Sequence, residues 1–229
     1  MNIAIIPARR GSKRLPKKNI KIINGKPLIE WTIISAIKSN IFDEIHVNTD
    51  CKNIAKISVS AGAKVPFIRS PELATNTATS RDVILDHFNF IKNETNISLE
   101  TICILQPTSP IRNYKNIISS YDVLKKKNAN SIVSICELEH SAELCNSLNK
   151  NDSMFKFLDQ SKVKRSQDYI KKYRINGAIY ILDASLKGDL NNLYNYRTFP
   201  YIMDNMSSVD IDTEYDFLLA EFIMSRNHD

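Results

Sequence analysis

The stretch Asn2-Ile-Ala-Ile-Ile-Pro-Ala-Arg-Arg-Gly-Ser-Lys-Arg-Leu-Pro-Lys-Lys-Asn19 decides how the chain is read. Its first part, Ile3 to Ala8, is apolar throughout instead of alternating, which is the pattern of a strand covered on both faces, as in a parallel sheet. The run then opens into a loop carrying Arg9, Arg10, Lys13 and Arg14 around Gly11 and Ser12. Cations and backbone N–H groups gathered at the end of a buried strand make a receptacle for a polyphosphate. A solvated basic face is the competing reading.

Outward from this stretch, Asn24-Gly25 marks a turn, Pro27 takes the place of a first helical residue, and Leu28 to Ile37 reads as a buried helix. Glu44 to Asp50 predicts a second strand ending in a polar cluster, Asn53 to Ala61 a second helix closed by Gly62, and Lys64 to Arg69 a third strand. This β-α-β-α-β order predicts an α/β fold with a mostly parallel sheet. Arg69 to Ser80 is a polar loop ahead of a helix whose Ile84, His87, Phe88 and Ile91 recur at helical spacing, so His87 reads as a packed helix residue rather than a catalyst. Thr101 to Arg112 is an apolar strand running into a proline-bracketed polar loop. A helix over Ile117 to Lys126 and a strand over Ser131 to Leu138 follow. In open parallel sheets the ligand crevice lies beyond the carboxyl ends of the strands. The loops opening at Arg9, Asp50, Arg69 and Gln106 are therefore expected on one edge.

From Leu148 to Lys172 the composition shifts to Asn, Lys, Asp and Ser, which reads as a small lobe or dimerisation arm, or else a surface insertion. The expected division is a nucleotide-binding core over 1–138, an inserted arm over 139–172, and a return to the core over 173–229. Tyr173 to Asp183 and Thr198 to Met203 read as strands. The closing helix carries Tyr215, Leu218, Leu219, Phe222 and Ile223 as an apolar stripe, with Thr213 as its N-cap.

The 229 residues are enough for one sizeable core, and 43% hydrophobic with 24% charged residues is ordinary globular composition. The net charge of +6 suits anionic small molecules as well as nucleic acid, and excludes neither. Cys51, Cys103, Cys136 and Cys145 show no C-x-x-C spacing, so neither a zinc site nor a disulfide framework is indicated, and Cys103 reads as a small buried hydrophobe. No apolar run approaches the roughly 20 residues of a membrane span, and the first residues lack a signal-peptide pattern. The expectation is a cytoplasmic protein without a membrane partner.

Asp210 and Asp212 project from one face of an extended segment, with Ile211 on the other. Two carboxylates on one edge, completed by water and phosphate oxygens, are how Mg²⁺ is usually held. Helix capping accounts for Asp212 but leaves Asp210 unexplained. The basic loop and the acidic pair are complementary if a nucleoside triphosphate lies between them. Neither a G-x-x-x-x-G-K-[ST] nor a G-x-G-x-x-G pattern is present.

Taken together, Ile6 to Lys13 with Pro16 and Asn19, Arg69 to Ser80, Leu105-Gln-Pro-Thr-Ser-Pro-Ile-Arg112, Asn176-Gly-Ala-Ile-Tyr180 and Asp210-Ile-Asp212 resemble the acylneuraminate cytidylyltransferases, including the legionaminic and pseudaminic acid versions. The resemblance spans nearly the whole chain in order. It implies a Rossmann-like nucleotidyltransferase fold, a homodimer formed partly through the arm, and CTP, Mg²⁺ and a nine-carbon 2-keto sugar acid as requirements. It also implies that Arg9, Ser12 and Lys13 hold the CTP phosphates, and that Asn19, Arg69, Ala78 and Ser80 contact the nucleoside. Gln106, Asn176 and Tyr180 are then on the sugar-acid side, and Asp210 and Asp212 hold metal, with Arg9, Lys13 and Asp212 catalytic. Plainer roles stand beside these: Ser80 as a helix cap, Gln106 as a loop hydrogen-bonder, Tyr180 as a core aromatic and Asn176 as a turn former before Gly177. Relatives carry an arginine where Ser166 falls, and Arg165 is the neighbour able to replace it toward the sugar carboxylate. His140-Ser-Ala-Glu-Leu144 lacks a lysine that some relatives have.

The expected reaction is transfer of CMP from CTP to the acid's anomeric 2-hydroxyl. A cytidylyltransferase for the eight-carbon acid Kdo and a non-catalytic nucleotide sensor are the nearest alternatives. A nucleic-acid-binding module is disfavoured because no aromatics are interleaved with Arg9 to Lys21 for base stacking.

Overall fold

The computed structural model describes residues 1–75, 77–94 and 98–226. Its centre is a six-stranded sheet built on β1 (Asn2–Pro7). β4 (Glu44–Asn48) and β5 (Thr101–Leu105) flank β1 in parallel. β7 (Tyr173–Asp183) runs antiparallel between β5 and β6 (Ser131–Glu137), and β8 (Thr198–Met203) closes the edge parallel to β6. The order is β4-β1-β5-β7-β6-β8. A two-residue ribbon of β2 (Ile22–Ile23) and β3 (Lys26–Pro27) stands apart.

The unbroken apolar run of β1 is explained by cover on both faces. Ala4 and Ile6 pack among Ile29 and Ile33 of α1 (Leu28–Ser39), Ile54 of α2 (Lys52–Ser60), and Ile117 and Tyr121 of α4 (Tyr114–Lys126). Ile3 and Ile5 face the other way, onto Ile84, Phe88 and Ile91 of α3 (Ser80–Glu94). Cys103 is fully buried, as its apolar run predicts. Pro27 stands at the N-cap of α1, one residue before the place expected of it, and Asn40 ends that helix with φ 51°. Asn113 caps α4 by accepting from the N–H groups of Lys115 and Asn116.

Two expectations are corrected. Lys64 to Arg69 is not a strand: only Lys64 and Ile68 bridge to His46 and Thr49. Pro66 has no N–H to give and interrupts the ladder between them. The stripe expected on α5 (Glu214–Arg226) is also largely on the wrong side. Phe217, Ala220 and Met224 are buried against Leu15, Ile23, Leu28 and Ile211, and of the expected stripe Ile223 alone is buried, whereas Tyr215 is 75% exposed and Leu218 and Phe222 are open to solvent. The helix carries two apolar faces, and periodicity alone does not rank them. Its start is as expected: Thr213 Oγ1 accepts from Asp216 N–H at 3.4 Å while Asp216 Oδ2 accepts from Thr213 N–H at 2.7 Å, a capping box.

Between β6 and β7, residues 138–172 form short 3₁₀ turns (Ala142–Leu144, Gln160–Lys162 and Ser166–Asp168) and coil. Met154, Phe155, Val163 and Ile170 are exposed there. No helix is long and apolar enough to cross a membrane among the described residues.

Candidate active site

Because β1, β4 and β5 are parallel, their carboxyl ends deliver their loops to one edge. Ala8 N–H donates to Asn48 O at 2.9 Å, and Arg10 N–H to Asp50 Oδ1 at 2.7 Å. These bonds fix where the basic loop leaves the sheet. The segment after β8 arrives at the same edge: Ile211 N–H donates to Thr108 O at 2.8 Å, which seats the Asp210–Asp212 pair against the loop after β5.

The basic loop folds over Asp212. Arg14 Nη2 lies 2.8 Å from Asp212 Oδ2, and Lys18 Nζ lies 3.0 Å from Oδ1. Lys18 also donates to Ile211 O, and its side chain is only 11% exposed. Lys21 continues the seam, 2.7 Å from Glu214 and 4.2 Å over the ring of Phe217. Beneath this seam is a cavity of about 420 Å³ walled by Arg9, Gly11, Ser12, Lys13, Arg14 and Lys18 on one side, Gln106, Pro107 and Thr108 on the other, and Asp212 at the end. A second cavity of about 460 Å³ adjoins it, between Arg9, Arg10, Lys17 and Asn19 and the Asp50–Ile54 segment. Such volumes are those of small-molecule sites.

The carboxyl of Asp210 is raised above its ordinary value. Dense packing around it is the main cause although its surface meets solvent, and Asp212 adds like-charge repulsion. The Thr108 hydroxyl and Lys18 pull the other way, Thr108 from a position outside full hydrogen-bond geometry. The loop carrying Thr108 is tied down by Arg112. Its guanidinium is fully buried, donates from Nη2 to Thr32 at 2.9 Å and is lowered to about 10 by burial; Nε and Nη1 have no partner among the described residues.

The structure sorts the residues expected at the site. Arg9, Ser12, Lys13, Asn19, Gln106 and Asp212 wall one cavity together. Asn19 is nearly buried and donates to Arg9 O at 3.0 Å, while its Oδ1 has no donor facing it among the described residues. Arg9 Nη1 donates to Thr75 O at 3.1 Å, and Thr75 Oγ1 accepts from Ala78 N–H at 3.1 Å, so the loop bearing Ala78 is tied to the basic loop. Ser80 opens α3, but Thr79 and not Ser80 caps it, through reciprocal bonds with Asp82; this removes the plainer reading of Ser80. Arg69 lies beneath the edge, buried, with two guanidinium hydrogen bonds to Asn48 and its backbone N–H donating to Thr49 O.

Tyr180 sits on β7 opposite Ile104, and burial raises its hydroxyl to about 12 with help from the nearby Tyr194 and Asp210. Asn176 does not reach the cavity: it is 2% exposed, its Oδ1 accepts from Ser134 and Ala178, and its Nδ2 donates to Ser208 and toward Met203. With Gly177 at φ 77°, it shapes the bulge where β7 passes Ser134, which agrees with the turn-forming alternative. Arg165 is exposed in the 138–172 segment, outside the walls of this cavity.

Sequence reasoning missed Lys18 and Arg14 as partners of Asp212. Nothing local distinguishes Lys18 from Lys17. Only the left-handed turn at Lys17 (φ 56°) and the fold of the distant Asp212 segment do.

The cytidylyltransferase family model matches residues 3–222. The chain is 35% identical over 230 residues to CMP-N,N'-diacetyllegionaminic acid synthase of Legionella pneumophila, covering 99% of this chain and 97% of that protein. It is 30% identical to pseudaminic acid cytidylyltransferase of Campylobacter jejuni, covering 100% and 98%. Against N-acylneuraminate cytidylyltransferase of Escherichia coli identity is 36%, over 99% of this chain and 52% of that longer protein. Among solved structures, CMP:2-keto-3-deoxy-manno-octonic acid synthetase complexed with CTP superposes with a TM-score of 0.71 at 16% identity over 98% of each chain, a likeness of fold. This chain belongs to the cytidylyltransferase family.

Proposed function

From that membership we propose that the chain transfers CMP from CTP to the anomeric 2-hydroxyl of a nonulosonic, sialic-acid-like sugar acid and releases pyrophosphate. The observation that carries the reading is the cavity in which Arg9, Ser12 and Lys13 face the Asp212 end, a cationic wall opposite an acidic one. Both similar full-length relatives are named for nine-carbon acids, which favours such an acceptor over Kdo.

In this reading the acceptor oxygen forms a bond to the α-phosphorus and gives up its proton to solvent while the bond from the α-phosphorus to the bridging β-phosphate oxygen breaks. Negative charge accumulates on the departing pyrophosphate, where Arg9 and Lys13 offset it and Ser12 donates a hydrogen bond. The unpaired Oδ1 of Asn19 is a buried acceptor suited to an N–H or O–H of the nucleoside, such as the exocyclic amine of cytosine. Ala78 and Ser80 border the nucleoside from the loop that Arg9 holds. Gln106 and Tyr180 face the sugar acid, and Arg165 serves a partner subunit's acceptor.

The donor set fits a divalent cation. Burial and, to a smaller extent, repulsion from Asp212 raise Asp210, and a cation held by the two carboxylates would relieve that repulsion. Mg²⁺ needs only one or two carboxylates when phosphate oxygens and water complete its shell. Asp210 and Asp212 would hold it, and it would supply charge neutralisation at the α-phosphate. Arg14 and Lys18 orient the Asp212 carboxylate and screen it from Asp210.

The exposed Phe155, Ile170, Leu218 and Phe222 support a homodimer, with 139–172 as its arm. Light scattering at micromolar protein, expected to give twice the chain mass, tests this; a monomeric mass refutes it. The activity itself is tested by pyrophosphate release from CTP and Mg²⁺ with N-acetylneuraminic, legionaminic, pseudaminic and Kdo acids. Release with a nine-carbon acid supports the reading, and release with Kdo alone overturns the choice of acceptor.

A further inference from the structure

Alternate residues of β4 carry a polar stripe into the interior. Glu44, His46 and Asn48 share one face of the strand, and His87 of α3 lies over them. His46, Asn48 and His87 are buried, as is Arg69, and the rings of Phe67 and Phe90 lie 5.1 and 6.4 Å from that of His87. A run of ionisable and amide groups in such a place is expensive unless each finds a partner.

The partners are found, and they fix the direction of every hydrogen bond. A guanidinium only donates. Arg69 Nε donates to Asn48 Oδ1 at 2.5 Å, and Nη2 to Asn48 O at 2.7 Å. With Oδ1 engaged, Asn48 presents its Nδ2, a donor, to His87 Nδ1 at 3.0 Å, so Nδ1 must accept and the ring proton of His87 must sit on Nε2. That proton points at His46 Nδ1, 2.9 Å away, which must also accept. His46 therefore carries its own proton on Nε2, 2.6 Å from Glu44 Oε2, and the other oxygen of Glu44 meets Lys64.

We propose that His87 and His46 are positioning residues that hold Arg69 through this one-way chain, from the Glu44–Lys64 pair at the surface to the guanidinium at the nucleotide edge, and only while both imidazoles are neutral with the proton on Nε2. The functional half of this inference rests on the reading of Arg69 as a nucleoside contact.

A second proton on His87 sets two donors against each other at Asn48. The amide must then rotate, which turns Nδ2 toward Arg69 Nε and breaks that bond, leaving the guanidinium held by Nη2 on Asn48 O alone. The surrounding charges resist that protonation: His46 and Arg69 both oppose a charge on His87, and burial opposes it most. At His46, Glu44 favours a charge while Lys64 and burial oppose it, with burial the larger. At Arg69, burial is the largest influence and lowers the guanidinium, with Arg9 adding to it, while Asp50 and Asp86 favour the charge. The chain is thus built to keep the two imidazoles neutral between a cation at one end and an ion pair at the other.

Two measurements on the full chain test this. In ¹⁵N spectra of histidine-labelled protein, His87 should be neutral with Nδ1 unprotonated from pH 7.5 to pH 5, and His46 should show the same tautomer at pH 7.5. A His87 that carries its proton on Nδ1, or titrates as a free imidazole does, overturns the chain. In kinetics, H87F keeps an aromatic ring but removes the acceptor; it should raise the KM for CTP about ten- to a hundredfold while leaving the KM for the acid alone. H87N, whose Oδ1 replaces Nδ1 as acceptor, should restore it. Equal effects of H87F and H87N, or equal rises in both KM values, overturn the positioning role. R69K separates the two layers: an unchanged KM for CTP there refutes Arg69 as a nucleoside contact, whatever the spectra show of the chain.

Discussion

Lowering the pH from 7.5 to 5 strains the interior at an identifiable group. His87 is fully buried, and loss of hydration, reinforced by His46 and Arg69, takes its imidazole from 6.5 down to about 3. The folded value lies below the unfolded one. Above the unfolded pKa both states are neutral and the contribution is constant. As the pH falls below it, the unfolded chain takes up a proton that the folded chain refuses, and stability is lost. At pH 5 the unfolded imidazole is about 1.5 pH units below its pKa, and at ~1.36 kcal/mol per unit this amounts to about 2 kcal/mol. That is a sizeable part of the 5–15 kcal/mol or so typical of a domain. His46, also lowered, shifts stability in the same direction. The assay is urea unfolding followed by circular dichroism at several pH values, for the natural chain and for H87F. The variant lacks the titrating group, so its stability relative to the natural chain should improve by about 2 kcal/mol between pH 7.5 and pH 5. A difference that does not change with pH would show that His87 titrates alike in both states and would refute the buried chain.

Asp212→Asn should cut pyrophosphate release at least about a hundredfold yet shift unfolding by no more than ~1 kcal/mol, because its pairs with Arg14 and Lys18 are partly solvated. Lys18→Met should lower activity more than Arg14→Ala, since Lys18 is nearly enclosed and also holds Ile211 O; equal losses would mean the two cations are interchangeable. Ser134→Ala removes the acceptor for Ile179 N–H and the donor to Asn176 Oδ1, and chemical unfolding should register about 1–3 kcal/mol.

The parts of the fold legible in the sequence are those set by local pattern. β1 could be read because a strand covered on both faces has no polar residue to blur it, and the shared edge followed from parallel strands ending in polar loops. α5 could not, because Phe217, Ala220, Ile223 and Met224 compete with Tyr215, Leu218 and Phe222, and only the position of Leu15 and Ile211 decides between them. The pairing of Lys18 with Asp212 joins residues 194 apart in the chain, for which no local spacing exists. Glu44, His46 and Asn48 were visible as alternate positions of one strand, but their partner His87 comes from a helix whose placement over β4 is a property of the whole sheet.

The most direct measurement is pyrophosphate release from CTP in the presence of Mg²⁺ and each acid of the panel, with ATP and UTP in place of CTP as controls. Release is expected with CTP and a nine-carbon 2-keto acid, little with the other nucleotides, and at least about a hundredfold less from Asp212→Asn. Absence of release with every acid, or release indifferent to the base of the nucleotide, would contradict the proposed function.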